Sequence, residues 1–140
     1  MQGIAALRIL IVEDEGIIAD DIASRLNRAG CDVTAIAASA EEVFAGLRES
    51  RPDLILMDIH IDGSMDGIQT AAKLRETSDI PIVFLSAHAD RETMGRAEAT
   101  GAFGFVTKPI QSVRLMTAIE EAAQRHRARG DRLAARQAAS

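Results

Sequence analysis

The sequence predicts one α/β domain built on an open, doubly wound parallel sheet, and three observations carry that reading. Four short apolar runs, Ile9-Leu10-Ile11-Val12, Leu54-Ile55-Leu56-Met57, Ile82-Val83-Phe84-Leu85 and the weaker Phe103-Gly104-Phe105-Val106, have the length and the β-branched or aromatic content of buried strands. A fifth run, Val33 to Ala37, alternates more and suits an edge strand. Between the runs the apolar spacing turns helical, so strand and helix alternate five times, which implies right-handed crossovers and a sheet covered on both faces. The strand starts are too irregularly spaced for a sequence repeat, and five units are too few for a barrel.

Taken in order, the helices have recognisable faces. Ile18, Ile22, Leu26 and Ala29 share one side after Glu15, and Gly30 supplies a stop. Ser39-Ala40-Glu41-Glu42 matches a capping box, with Val43, Phe44 and Leu47 on the face behind it. Ile68, Ala71, Ala72 and Arg75 continue the pattern after Asp66-Gly67. The stretch from Asp90 to Thr100 is helix-prone but poor in large apolar residues, so its helix is expected to be loosely held. Leu115, Met116, Ile119, Ala122 and Ala123 give the clearest amphipathic face of all. Met57, Phe84 and Phe103 read as core.

Composition bounds the function classes. A chain of 140 residues fits one domain, and 47% hydrophobic residues with a mean hydropathy of +0.03 suffice for a packed interior. No apolar run approaches the roughly 18 residues of a membrane span, and the stretch from Met1 to Leu7 is too short for a signal peptide, so a cytoplasmic protein is expected. The one cysteine, Cys31, offers neither an internal disulfide nor a cysteine cluster and reads as a small turn residue. Net charge is −5, yet Gln124 to Ser140 holds five arginines against one aspartate, so the rest of the chain is more acidic still. Nothing in the body suggests a nucleic-acid surface, and arginines without aromatics in the tail are weak evidence for one. The chain is therefore divided at 1–127 and 128–140, the second part being an Arg/Ala-rich tail or helix extension with Gly130 as a breaker.

In doubly wound sheets ligands bind at the carboxyl ends of the strands. After the apolar runs come Glu13-Asp14, Asp58, Ser86 and Thr107-Lys108-Pro109, so three acids, a hydroxyl and an ammonium converge on one edge. Each alone is an ordinary strand end; together they are a candidate site. Three close carboxylates raise one another's pKa unless a cation sits among them, and an all-oxygen set suits Mg²⁺. With 14 arginines and only two lysines in the chain, a Lys directly after a buried strand stands out, since a compact ammonium suits a carboxylate or phosphoryl oxygen in a tight site. Pro109 fixes the next turn, and a cis bond before it is open to it.

These residues resemble the receiver domain of two-component response regulators from about Leu7 to Arg125. The resemblance implies a flavodoxin-like (βα)5 sheet in the order 2-1-3-4-5, and a signalling switch rather than an enzyme. Glu13 and Asp14 match the family's acidic pair, Asp58 its phospho-acceptor, Ser86 its hydroxyl, Lys108-Pro109 its Lys-Pro pair and Phe105 its switch aromatic. By the same resemblance, a sensor histidine kinase or phosphotransfer protein donates to Asp58. Mg²⁺ is held by Asp14 and Asp58 directly, by Glu13 through water and by the backbone carbonyl of His60. Lys108 and Ser86 bind the acyl phosphate, and inward motion of Ser86 and Phe105 changes the surface of the fourth helix, fifth strand and fifth helix, which a downstream protein reads. Dimerisation through the fourth-helix face is left open. The stand-alone receiver is the first reading, and the receiver piece of a longer regulator or hybrid kinase is its alternative.

Two departures accompany the match. The loop from Asp58 to Gly67 lacks the frequent proline and is one residue longer than the commonest form. His60 and His88 stand two positions beyond Asp58 and Ser86, where the family tunes phosphoryl lifetime; they read either as modulators or as plain exposed loop residues. Arg91 and Arg96 read as solvated, and Asp62 and Asp66 as loop or capping residues rather than extra ligands. A haloacid-dehalogenase-type phosphatase needs an Asp where His60 stands, a flavodoxin needs a hydroxyl-rich phosphate loop where Glu13-Asp14-Glu15 stands, and a pseudo-receiver would have lost the acids or the lysine.

Overall fold

The computed structural model describes residues 4–139. Ten elements alternate: β1 (Arg8–Val12), α1 (Gly16–Arg28), β2 (Asp32–Ala37), α2 (Ala40–Glu49), β3 (Leu54–Asp58), α3 (Gly67–Arg75), β4 (Ile82–Ser86), α4 (Arg91–Ala99), β5 (Gly104–Thr107) and α5 (Ser112–Ala139). All neighbouring strands are parallel and the sheet runs β2-β1-β3-β4-β5, the expected order.

The unbroken apolar character of the central strands follows from burial on both faces. Successive side chains of a strand point to opposite sides. Leu10, Val12, Ile55, Met57, Ile82 and Phe84 pack into one core with Val43, Ile68, Ala71 and Leu74. Ile9, Ile11, Leu54, Leu56, Val83 and Leu85 pack into a second core with Ile22, Leu26, Leu115 and Ile119. β2 lies at one edge, and its residues Ala35 and Ile36 are exposed.

Several local expectations are corrected. Cys31 is not merely a turn residue: it is buried in the second core and its thiol donates to the Ile4 carbonyl at 3.3 Å. On α3 the inward residue is Leu74, while Ala72 is exposed. α5 continues through Gly130 to Ala139 without a break, because a single helical Gly costs only about 1 kcal/mol against Ala and the flanking Ala and Arg are strong helix formers.

Candidate functional site

The carboxyl ends of β1, β3, β4 and β5 meet at one edge of the sheet. Asp58 and Ser86 are the last residues of β3 and β4, and Glu13 follows β1 directly. All three are buried polar residues. Carboxylate oxygens of Glu13, Asp14 and Asp58 lie within 4.8 Å of one another. Lys108 reaches across from the end of β5: its Nζ donates to Glu13 Oε1 at 3.0 Å and to Asp58 Oδ2 at 2.9 Å. The backbone N–H of His60 donates to the other Asp58 oxygen, Oδ1, at 3.0 Å. The Lys108–Pro109 bond is cis.

The electrostatics are those of a site short of positive charge. Burial, reinforced by the neighbouring Asp58, pushes the Glu13 carboxyl up to about 7, although Lys108 pulls the other way. Burial alone would depress the Lys108 ammonium, but Asp58 and Glu13 more than offset it and its pKa is raised. One ammonium therefore serves two buried acids, and Glu13 holds a proton more tightly than an ordinary glutamate does. A cation coordinated by oxygen would take the place of that proton, so the donor set fits a hard divalent ion such as Mg²⁺.

Ser86 is placed at the same edge but its hydroxyl is turned elsewhere. Its Oγ accepts from the His88 N–H at 3.0 Å and donates to the His88 carbonyl at 3.1 Å. His60 and His88 are both exposed, and their rings meet edge-on with centroids 5.3 Å apart. Phe105 is half-buried against the first core, with Met94 of α4 beside it.

Two features escaped the sequence. Gly67, the first residue of α3, lies so close to the end of β3 that a methyl group there would run into the Asp58 carbonyl oxygen, and its N–H donates to the Ile59 carbonyl at 2.7 Å. Two residues later Gln69 completes a reciprocal capping box with Asp66, already read as a loop or capping residue; that spacing marks where the helix starts, not the close approach of Gly67 to β3. The longer loop also has a defined course. Ser64 donates to Glu41 of α2 at 2.7 Å, Asp62 bridges to Ser39, and Gly63 takes a φ of +105° that only Gly adopts freely.

The chain and its 2-1-3-4-5 sheet are matched in sequence and in structure. A family model described as the response regulator receiver domain matches residues 9–120. The transcriptional regulatory protein PdtaR of Mycobacterium tuberculosis is 34% identical over 120 residues, covering 86% of this chain and 58% of that protein. AfsQ1 of Streptomyces coelicolor, also a transcriptional regulatory protein, is 37% identical over 103 residues, covering 74% of this chain and 45% of that one. The chain thus spans about half the length of these curated relatives. Among solved structures, the signal receiver domain of a modulated diguanylate cyclase from Desulfovibrio desulfuricans superposes with a TM-score of 0.82 at 33% identity, covering 89% of this chain and 98% of that one. The chemotaxis protein CheY4 of Vibrio cholerae gives a TM-score of 0.77 at 26% identity, with 84% and 99% covered. With four-fifths of its length inside that family model, the chain belongs to the response-regulator receivers, the signalling switches of two-component systems.

Proposed function

We propose that Asp58 is the phospho-acceptor of this receiver and that the site assists its own phosphorylation. The observation that carries the reading is the double contact of Lys108 with Glu13 and Asp58 in a pocket whose three acids share too little positive charge. The phosphoryl group passes from the imidazole nitrogen of a partner phosphohistidine to a carboxylate oxygen of Asp58. The P–N bond breaks, the new P–O bond forms, and the imidazole leaves with the electron pair. Asp14 and Asp58 would hold Mg²⁺ directly, Glu13 through water and His60 through its backbone carbonyl; the ion supplies positive charge against the phosphoryl oxygens.

Lys108 then turns from the free carboxylate to the acyl phosphate. Ser86 exchanges its two bonds to the His88 backbone for one to a phosphoryl oxygen, and the β4–α4 loop follows. Phe105 moves into the space released, changing the α4, β5 and α5 surface that a downstream protein reads; dimerisation through that surface fits the same switch. The donor is a sensor histidine kinase or phosphotransfer protein and the setting is the cytoplasm. Among the described residues no helix is long and apolar enough to cross a membrane. PdtaR and AfsQ1 extend well past the matched region, which supports the receiver part of a longer regulator as a second form of this reading.

Intact mass after incubation with phosphoramidate, with and without Mg²⁺, tests the acceptor. A Mg²⁺-dependent gain of about 80 Da, for one phosphoryl group on a covalent carboxyl nucleophile, is expected in the wild type and not in Asp58→Asn. An adduct that survives in the variant would move the acceptor elsewhere, and no adduct at all would leave an interaction module. We also read the edge-on His60–His88 pair as a tuner of phosphoryl lifetime, because the two rings pack together and the His60 backbone N–H is bonded to Asp58. An unchanged dephosphorylation rate in the His60→Ala, His88→Ala double variant would remove that role.

A further inference from the structure

At the end of the sheet away from Asp58 the molecule reverses its character. The segments leading into β3 and β4 carry Arg51 and Ile80, and these two line both of two adjoining grooves. The larger, of about 510 Å³, lies between the C-terminal ends of α2 and α3. Its floor is apolar, with Leu74 and Ile80 buried and Phe44 and Leu47 half-buried beside them, while Thr77, Ser78 and basic side chains stand along its sides. The smaller, of about 280 Å³, runs on to α5 at His126 and Arg127.

The rim of this apolar tract is cationic on a chain in which acids outnumber bases by 21 to 16. Arg48, Lys73 and Arg127 are exposed, and none has an ion-pair partner among the described residues. Arg51 is occupied by Asp79 at 2.7 Å, and His126 lies 3.3 Å from the same carboxylate. Arg48 and Lys73 sit in the last turns of α2 and α3, where a cation complements the helix dipole. Arg127 lies mid-helix and has no such role, and the dipole does not account for an apolar channel between the three.

We propose that this groove is a docking site for an acidic amphipathic helix of a partner protein, whose apolar face enters between Phe44, Leu47 and Leu74 and whose flanking carboxylates meet Arg48, Lys73 and Arg127. An amphipathic helix laid into an apolar groove is a recurrent recognition mode, and charges around the rim select the partner. The alternatives fit less well. A bilayer is entered by protruding apolar side chains, whereas the apolar groups here are recessed; among the described residues the exposed large hydrophobics, Ile17, Ile36 and Val113, lie outside the groove. A nucleic-acid strand would find no exposed aromatic side chain among the described residues lining either groove to stack on. The site is separate from the acceptor chemistry and stands whether or not Asp58 is phosphorylated.

The test uses the whole isotope-labelled chain and two synthetic helical peptides that share one leucine face and differ only in carrying Glu or Lys on the polar face. The Glu peptide should shift amide resonances of the C-terminal turns of α2 and α3 and of α5 around His126, and bind more weakly as salt is raised. The Lys peptide should not. The Arg48→Glu, Lys73→Glu, Arg127→Glu variant should bind the Glu peptide at least about tenfold more weakly and gain affinity for the Lys peptide; the single Lys73→Glu variant should move part of the way. Equal binding of the two peptides, shifts on another face, or no shifts would overturn the proposal. So would tighter, charge-reversal-sensitive binding of anionic vesicles or duplex DNA to the same rim.

Discussion

α3 and α4 are both nine residues long, and each follows a strand that ends in a site residue, Asp58 for α3 and Ser86 for α4. They are held very differently. α3 opens with a reciprocal capping box and buries Gly67, Ile68, Thr70, Ala71 and Leu74, whereas α4 has the Asp90 cap but buries only Ala97. The cause is composition: Gly-Ile-Gln-Thr-Ala-Ala-Lys-Leu-Arg offers an apolar face, while Arg-Glu-Thr-Met-Gly-Arg-Ala-Glu-Ala offers Met94 and little else. The difference separates two tasks. The carboxylate is fixed by a rigid unit pressed against its own backbone, and the hydroxyl sits at the root of a unit with few contacts to lose.

Glycine substitutions should break this contrast most sharply. Gly67→Ala would drive a methyl into the Asp58 carbonyl, and a backbone obstacle cannot swing aside, so a loss of about 3 kcal/mol or more is expected, read by urea denaturation. Gly95→Ala, at the middle of α4 with nothing within 4 Å of the added carbon, should instead stabilise by about 0.5–1 kcal/mol through helix propensity. Equal effects at the two sites would mean the helices are not differently packed. Truncation extends the comparison. Leu74→Ala should cost about 2–5 kcal/mol and Met94→Ala well under half of that, because only the first side chain is fully enclosed.

The rigid side should also own the pH dependence of the metal-free protein. Glu13 titrates near 7 in the folded state against 4.5 for an ordinary glutamate, so between those values the folded chain keeps a proton that the unfolded chain has given up. Stability should therefore be greatest toward the acid end of that window and fall as pH rises through it. Denaturation in EDTA across the window should show the slope, and Glu13→Gln should flatten it. Mg²⁺ should stabilise more at about pH 7.5 than at about pH 5.5, where a proton competes for the same carboxylate. A slope that survives in Glu13→Gln would place its origin elsewhere.

Much of this was legible in the sequence because the information is local. Central strands buried on both faces must read as unbroken apolar runs, and the polar residues ending them, Glu13, Asp58 and Ser86, inherit their placement from the parallel topology. The sparse face of α4 was visible in the same way. What stayed hidden depends on distant pieces meeting. Arg96 reads as solvated by pattern, yet it pairs with Asp66, thirty positions earlier. The His60–His88 ring contact and the bonding of the Ser86 hydroxyl to the His88 backbone arise from loop conformation, which no periodicity encodes. Gly67 is a third case: its small size answers to a backbone folded against it, not to its neighbours in the chain.

The Arg96–Asp66 pair is the one described ion pair between the two helices' ends, at 3.1 Å, and it sharpens the contrast at the smallest scale. Asp66 caps the helix packed on Asp58, so the pair ties loosely held α4 to the rigid unit. Its side chains are 46% and 31% exposed, which limits the contribution to about 1 kcal/mol at low salt. Asp66→Asn separates the two duties of that residue, since an amide oxygen still accepts from the Gln69 N–H but carries no charge. Both Arg96→Ala and Asp66→Asn should speed amide hydrogen exchange in α4 by up to about fivefold while leaving α3 unchanged in Asp66→Asn, and the effect should vanish in high salt. If α3 exchanges faster in step with α4, the two helices open together and the division between a fixed carboxylate and a movable hydroxyl does not hold.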